Sequence, residues 1–218
     1  DGKGQDQRLH GFRLAMTLSN CYPARMRPLA PLIEKLLPDT VAFRHELHRH
    51  PELALAETET ARRVAARLRE IPGLEVRERV GGTGIVAVLG AGKPGPCVAL
   101  RADMDALPIT EHNRFAHASR HPGKMHACGH DGHTTMLLAA AWHLSQHRDF
   151  AGTVHFIFQP AEEMGKAGAL KMVQDGLFER FPCDAVFALH NYPIGTTGGF
   201  AVNPGALMAS SNTWRVVI

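Results

Sequence analysis

Met125-His-Ala-Cys-Gly-His-Asp-Gly-His-Thr134 packs three histidines, one cysteine, one aspartate and two glycines into ten residues. The stretch after it, Thr134 to His147, has an apolar middle of Met136, Leu137, Leu138, Ala139, Ala140, Ala141 and Trp142, which reads as a buried helix. A polar loop precedes it, so the cluster sits where a loop feeds a helix N-terminus. Unpaired backbone N–H groups and the helix dipole favour a thiolate or a carboxylate there. Cys128-x-His130 offers one soft and one borderline donor, a pairing that suits zinc and its neighbours. A solvated histidine-rich turn around a small buried cysteine is the plainer reading. The density of donor residues favours the metal site.

Outward from this cluster the chain alternates between strand and helix. Gly84 to Leu89 and Cys97 to Leu100 are short, apolar and β-branched, and the Gly90–Gly95 loop between them predicts a hairpin. That loop lacks the glycine order of a phosphate-binding loop. The second strand runs into Arg101-Ala-Asp-Met-Asp105, which places Asp103 and Asp105 either at a ligand-bearing strand end or as loop caps. Downstream, Gly152 to Phe158 is a strand that runs into Gln159-Pro-Ala-Glu-Glu163. A helix from Ala167 to Gln174 follows, and a strand from Ala185 to Leu189 ends in His190-Asn191. This alternation implies an α/β fold, a mainly parallel sheet flanked by helices. Its ligand-type residues converge on one sheet edge.

Adjacent residues such as Glu162 and Glu163 cannot aim at one atom from a regular strand, but a turn at the strand end frees them. One can then bind a metal while the other serves as a general base; a solvated pair capping the next helix is the alternative. A divalent ion draws the pKa of water toward neutrality, and a nearby carboxylate can take the proton. Two such ions roughly 3.5–4 Å apart would clamp the water, with a thiolate able to bridge them.

Toward the N-terminus, residues 1–28 lack periodicity and read as a disordered leader. Leu29, Leu32, Ile33, Leu36 and Leu37 fit a helix that Pro38 stops. Asp39 or Thr40 then caps a second helix through Leu47, which Pro51 ends. His45, His48 and His50 lie near that end, where positive charge suits the dipole. A third helix covers Thr58 to Glu70 and closes at Pro72-Gly73.

The 218 residues are 44% hydrophobic and 21% charged, the composition of a globular chain. A net charge of +3 without a basic run excludes nucleic acid as the expected partner. No apolar run has the length of a membrane span. The four cysteines are far apart and form no CxxC pair, so no disulfide framework is expected and a reducing cytoplasm is. Fourteen histidines point to metal or proton chemistry.

Taken in order, Arg101-Ala-Asp-Met-Asp-Ala-Leu-Pro108, Met125-His-Ala-Cys-Gly-His-Asp-Gly-His133 and Phe158-Gln-Pro-Ala-Glu-Glu163 resemble the metal-dependent amidohydrolases of the M20 peptidase family. The branch is that of hippurate hydrolase, N-acyl amino acid aminoacylases and plant auxin-conjugate hydrolases. The resemblance covers Leu29 to Ile218. It implies two divalent ions (zinc, manganese, cobalt or nickel) with Cys128 bridging them and His130, Glu163 and His190 as further ligands. Glu162 would be the catalytic base and Asp105 a carboxylate that orients a ligand. The implied substrate is an N-acyl amino acid, cleaved to a carboxylate and an amino acid. The implied architecture is a catalytic α/β domain interrupted by a smaller one that pairs two subunits.

On this basis residues 29–210 are expected to form the N-terminal part of the catalytic domain, and 211–218 the start of the inserted domain. The chain would thus be truncated before the dimerisation domain, and a homodimer is expected at full length. The roles the family gives to a last metal-binding histidine and to a carbonyl-holding histidine find no residue here, so the 218 residues alone are expected to be inactive. Met164-Gly-Lys166 replaces a glycine run of the family. Two other readings stay open. One is a metal-binding fragment without turnover, and the other a Cys128 nucleophile, which the Cys-x-His spacing disfavours.

Overall fold

A computed structural model describes residues 21–22, 31–90, 94–194, 197–202, 205, 214 and 216. The elements in chain order are β1 (Cys21–Tyr22), α1 (Pro31–Arg49), α2 (Thr58–Arg69), β2 (Leu74–Val80), β3 (Gly84–Leu89), β4 (Cys97–Asp103), α3 (His130–Gln146), β5 (Thr153–Gln159), α4 (Gly168–Gln174), α5 (Leu177–Arg180), β6 (Ala185–Ala188) and β7 (Phe200–Ala201). The chain divides into two units. One comprises residues 1–28 and 193–218, the other 29–192. In the first, β1 pairs antiparallel with β7. The remainder of the expected leader lies outside the described residues. So does most of the expected start of the inserted domain, residues 211–218, of which Trp214 and Val216 are described and neither is in a strand.

The larger unit is a five-stranded sheet in the order β2-β3-β5-β4-β6. β5, β4 and β6 are parallel, while β2 and β3 add an antiparallel flank. Period-two alternation assigns each strand residue to a face. Ile85, Ala87, Leu89, Phe156 and Phe158 turn to a core shared with α1, α2 and α3. Val86 and Ile157 turn the opposite way, toward Met172 of α4 and Leu177 of α5. Each large side chain so buried contributes about 1.5–3 kcal/mol.

The connection from β4 to β5 runs through α3 on one face. The connection from β5 back past β4 to β6 runs through α4 and α5 on the other. Strand ends that diverge in this way leave a crevice at their C-terminal edge. Thr134 Oγ1 donates to the Asp103 carbonyl (2.9 Å) and ties the first turn of α3 to the end of β4.

Several expectations are corrected. β3 and β4 form no hairpin, because β5 lies between them. β3 is buried on both faces and needs a partner at each edge; β2 and β5 supply them. The β2–β3 turn uses Gly81 and Gly82 at positive φ, so the true hairpin lies on the N-terminal side. β2 itself went unread, since only Leu74, Val76 and Val80 turn inward along a charged edge strand. Pro38 does not stop a helix either: α1 continues through it. Pro38 and Glu34 are both exposed, so the carbonyl deprived of its partner can turn to water. Buried Phe43 and Leu47 anchor the second half of the helix.

Candidate metal centre

The ends of β4, β5 and β6 and the start of α3 deliver every residue expected at the site to one place. Asp105, two residues past β4, is almost fully buried. Its Oδ1 accepts hydrogen bonds from His130 Nδ1 (3.2 Å) and the Glu162 N–H (3.1 Å), and its Oδ2 accepts the Glu163 N–H (2.9 Å). Two consecutive N–H groups on one carboxylate require the chain to leave the extended conformation, and Ala161 does so with φ of 50°.

His130 opens α3 and has no exposed surface. Because Nδ1 donates to Asp105, the lone pair lies on Nε2. That atom is buried and has no hydrogen-bond partner. It lies 3.9 Å from Glu163 Oε1 and 3.7 Å from Asp103 Oδ2, too far for hydrogen bonds and near enough for an ion to be shared with either oxygen. Burial pulls the His130 pKa down, but the hydrogen bond to Asp105 and the charges of Asp103 and Asp105 outweigh it and raise the value. The surroundings therefore call for positive charge at this ring.

Cys128 is half-buried, and its Sγ is 3.5 Å from His190 Nε2. His190 Nδ1 donates to the Asn191 carbonyl (2.7 Å), leaving Nε2 free toward the thiol. Burial, with the charge and hydrogen bond of Glu163 next, pushes the Cys128 thiol up to about 12. A nucleophilic thiolate is thus disfavoured at this position, whereas a coordinated cation would deprotonate the thiol outright. Gly129, at φ of 85°, joins Cys128 to α3; a Cβ there would come within 2.5 Å of the Asn191 side chain. Three donor groups result: Cys128, His130 and His190; His130, Glu162 and Glu163; and Asp103, His130 and His133. In each the donor atoms lie within 4.8 Å of one another. His130, whose Nε2 is orphaned, belongs to all three, and the mixture of sulfur, imidazole and carboxylate fits divalent transition ions.

The third group is already hydrogen-bonded. His133 Nδ1 donates to Asp103 Oδ1 (2.6 Å), and its Nε2 accepts the Asn191 N–H (3.0 Å). Arg101 bonds both Asp103 Oδ2 (2.8 Å) and Gln159 Oε1 (2.8 Å). Burial works to raise the Asp103 carboxyl, but the His133 hydrogen bond and the charges of His130 and Arg101 hold it at about 2. His133 was readable in principle, since it lies three residues after His130 on the same helix face.

His48 has partners that the sequence did not reveal. It lies at the helix end as expected, but it is buried, and its ring bonds Asp131 Oδ2 (3.0 Å) and Glu111 Oε1 (3.2 Å). Arg44 joins Asp131 at 3.1 Å. This cluster pins the C-terminal half of α1 to the start of α3. His45 stacks on His117, with centroids 3.6 Å apart. Cys97, Cys128 and Cys183 are free thiols. Among the described residues no helix is long and apolar enough to cross a membrane.

Comparison with known proteins matches residues 99–216 to the model of peptidase family M20/M25/M40. Hippurate hydrolase of Campylobacter jejuni is 46% identical over 190 residues, covering 87% of this chain and 49% of that protein. The N-acyl-L-amino acid amidohydrolase of Geobacillus stearothermophilus is 43% identical over 188 residues, covering 86% and 50%. The chain spans about half the length of the curated relatives it matches. Among solved structures, the Bacillus subtilis YXEP protein, described as a dinuclear metal-binding peptidase of the M20 family, superposes with a TM-score of 0.69 at 40% identity. That match covers 74% of this chain and 44% of the other.

Proposed function

The chain belongs to peptidase family M20/M25/M40, and on that premise we propose that the protein is a metal-dependent amidohydrolase that cleaves N-acyl amino acids to a carboxylate and a free amino acid. The observation that carries the reading is the buried, unpartnered Nε2 of His130 where three donor groups meet. The names of the relatives, hippurate hydrolase and N-acyl-L-amino acid amidohydrolase, support the substrate class.

In this reading Cys128, His130, Glu163 and His190 would hold two divalent ions, Cys128 serving as a ligand to both. Zinc, manganese, cobalt and nickel all suit the donor set. When bound, the ions supply positive charge that acidifies water and polarises the substrate carbonyl. Glu162 is exposed beside buried His130 and half-buried Glu163, so it can meet both solvent and substrate. It takes the proton of the attacking water and passes it to the leaving amine nitrogen. Asp105 fixes the His130 ring through Nδ1 and keeps Nε2 aimed at the ion. Residues 29–210 form part of the catalytic domain, two subunits pair through a further domain, and the dispersed cysteines suit a reducing cytoplasm.

The test is hydrolysis of benzoyl-glycine by the protein at its natural length, with added Mn²⁺ or Zn²⁺. Glu162→Gln keeps shape and polarity but removes the base. Turnover is expected to fall about 10²–10⁴-fold, with metal content unchanged. Full activity in Glu162→Gln would move the base elsewhere, and lost metal would make Glu162 a ligand.

A further inference from the structure

We propose that Glu57 is a positioning residue for the Glu162–Glu163 pair, its buried carboxylate holding the left-handed turn at Ala161 that brings both glutamates to His130. The inference rests on the reading above of Glu163 as ligand and Glu162 as base.

Glu57 directly precedes α2, where an acidic side chain ordinarily caps the helix. It makes no such cap bond. Glu52 does that work instead, accepting the N–H groups of Glu59 (3.2 Å) and Thr60 (2.7 Å). Glu57 is fully buried, and its oxygens serve the end of the sheet where β3 begins and β5 finishes. Oε1 accepts the Ala161 N–H at 2.7 Å, across 104 residues of sequence, and Oε2 accepts the Thr83 hydroxyl at 2.8 Å. Ala161 stands at φ of 50°, a conformation that L residues other than asparagine and aspartate rarely adopt. Immediately after it, the N–H groups of Glu162 and Glu163 both reach Asp105.

Three consecutive N–H groups are thus shared by two buried carboxylates, Glu57 taking the first and Asp105 the next two. In an extended strand successive N–H groups point to opposite sides, so residues 162 and 163 could not share Asp105. Ala161 makes the change of direction, and Glu57 holds Ala161. Without Glu57, the Ala161 N–H would be buried and unsatisfied, and the chain would tend back toward an extended path that separates Glu162 from Glu163.

The test measures Mn²⁺ and Zn²⁺ affinity by calorimetry, with circular dichroism confirming that each variant is folded at the temperature used. Glu57→Ala is expected to weaken binding at least about tenfold, the scale of losing a group that orients a ligand. Adding Ala161→Gly should restore part of that loss, since glycine adopts positive φ freely. Glu57→Gln, which keeps an acceptor for the Ala161 N–H, should bind nearly as the parent does. Unchanged affinity in folded Glu57→Ala overturns the inference. If Glu57→Ala does not fold, Glu57→Asp and Glu57→Gln decide: Asp withdraws the acceptor by one methylene and must bind more weakly than Gln, and equal affinities overturn the inference. Glu163→Ala separates the two readings. If Glu163→Ala binds normally, the ligand assignment fails; if it loses metal while Glu57→Ala does not, only the role of Glu57 fails.

Discussion

Replacing Asp105 with asparagine changes one oxygen to NH₂ in a nearly isosteric side chain. The wild-type carboxylate accepts three hydrogen bonds, from His130 Nδ1 and from the N–H groups of Glu162 and Glu163. Asparagine has one acceptor oxygen. If that oxygen keeps His130 and Glu162, its NH₂ confronts the Glu163 N–H donor to donor. If it turns over, His130 and Glu162 lose their partner instead. One buried donor left unsatisfied costs about 1–3 kcal/mol. A lost ligand-orienting carboxylate typically lowers metal affinity about 10–100-fold, equivalent to about 1.4–2.8 kcal/mol. The two estimates agree in scale because the same contacts hold the loop and the ligand. Calorimetric titration of the metal-free chain with Zn²⁺ or Mn²⁺ is the assay. Asp105→Asn should bind about 10–100-fold more weakly while keeping the parent's circular dichroism spectrum. An unchanged dissociation constant would refute the claim that Asp105 orients His130.

Two further outcomes follow from the same geometry. A His48 ring that donates to both Asp131 and Glu111 must carry both protons, and its pKa is raised, with the Asp131 hydrogen bond the largest cause and burial opposing. Its stabilisation is fully present below the unfolded pKa, about 6.5, and is lost as pH rises through the higher folded value. His48→Gln should therefore cost about 1.5–3 kcal/mol in urea unfolding near pH 6 and clearly less near pH 9; a constant or growing difference contradicts the doubly donating ring. Metal that binds only the folded chain should raise its stability by about 2.7 kcal/mol at a hundredfold excess over the dissociation constant. Adding a chelator should lower the melting temperature accordingly, and no change would mean that the folded state holds no ion.

Local pattern carried much of this molecule, and the reason differs from element to element. Gly84–Leu89 is legible because burial on both faces writes itself as a continuous apolar run, and Thr153–Gln159 because Val154, Phe156, Ile157 and Phe158 keep most of that pattern. Which strands pair is not local information, so the partner of β3 was misread while its boundaries were found. Pro38 misled because its usual cost, about 3 kcal/mol, is offset here by the burial of Phe43 and Leu47 in the same helix, with the freed carbonyl on a turn that faces water. The cluster from Cys128 to His133 was readable from its donor density. Glu57 was not, because an acid just before a helix looks like a cap and its partner lies 104 residues away. His48 was hidden likewise, since its two carboxylates come from distant segments.

Cobalt substitution tests the proposed role of Cys128 as a metal ligand at the sheet edge most directly. The metal-free chain is loaded with Co²⁺, its metal content measured by elemental analysis and its near-ultraviolet absorption recorded beside Cys128→Ala. The expected result is a thiolate-to-cobalt charge-transfer band in the parent, absent from Cys128→Ala together with a marked fall in bound metal. Equal metal content in the two proteins, or no thiolate band in a fully loaded parent, would contradict the account.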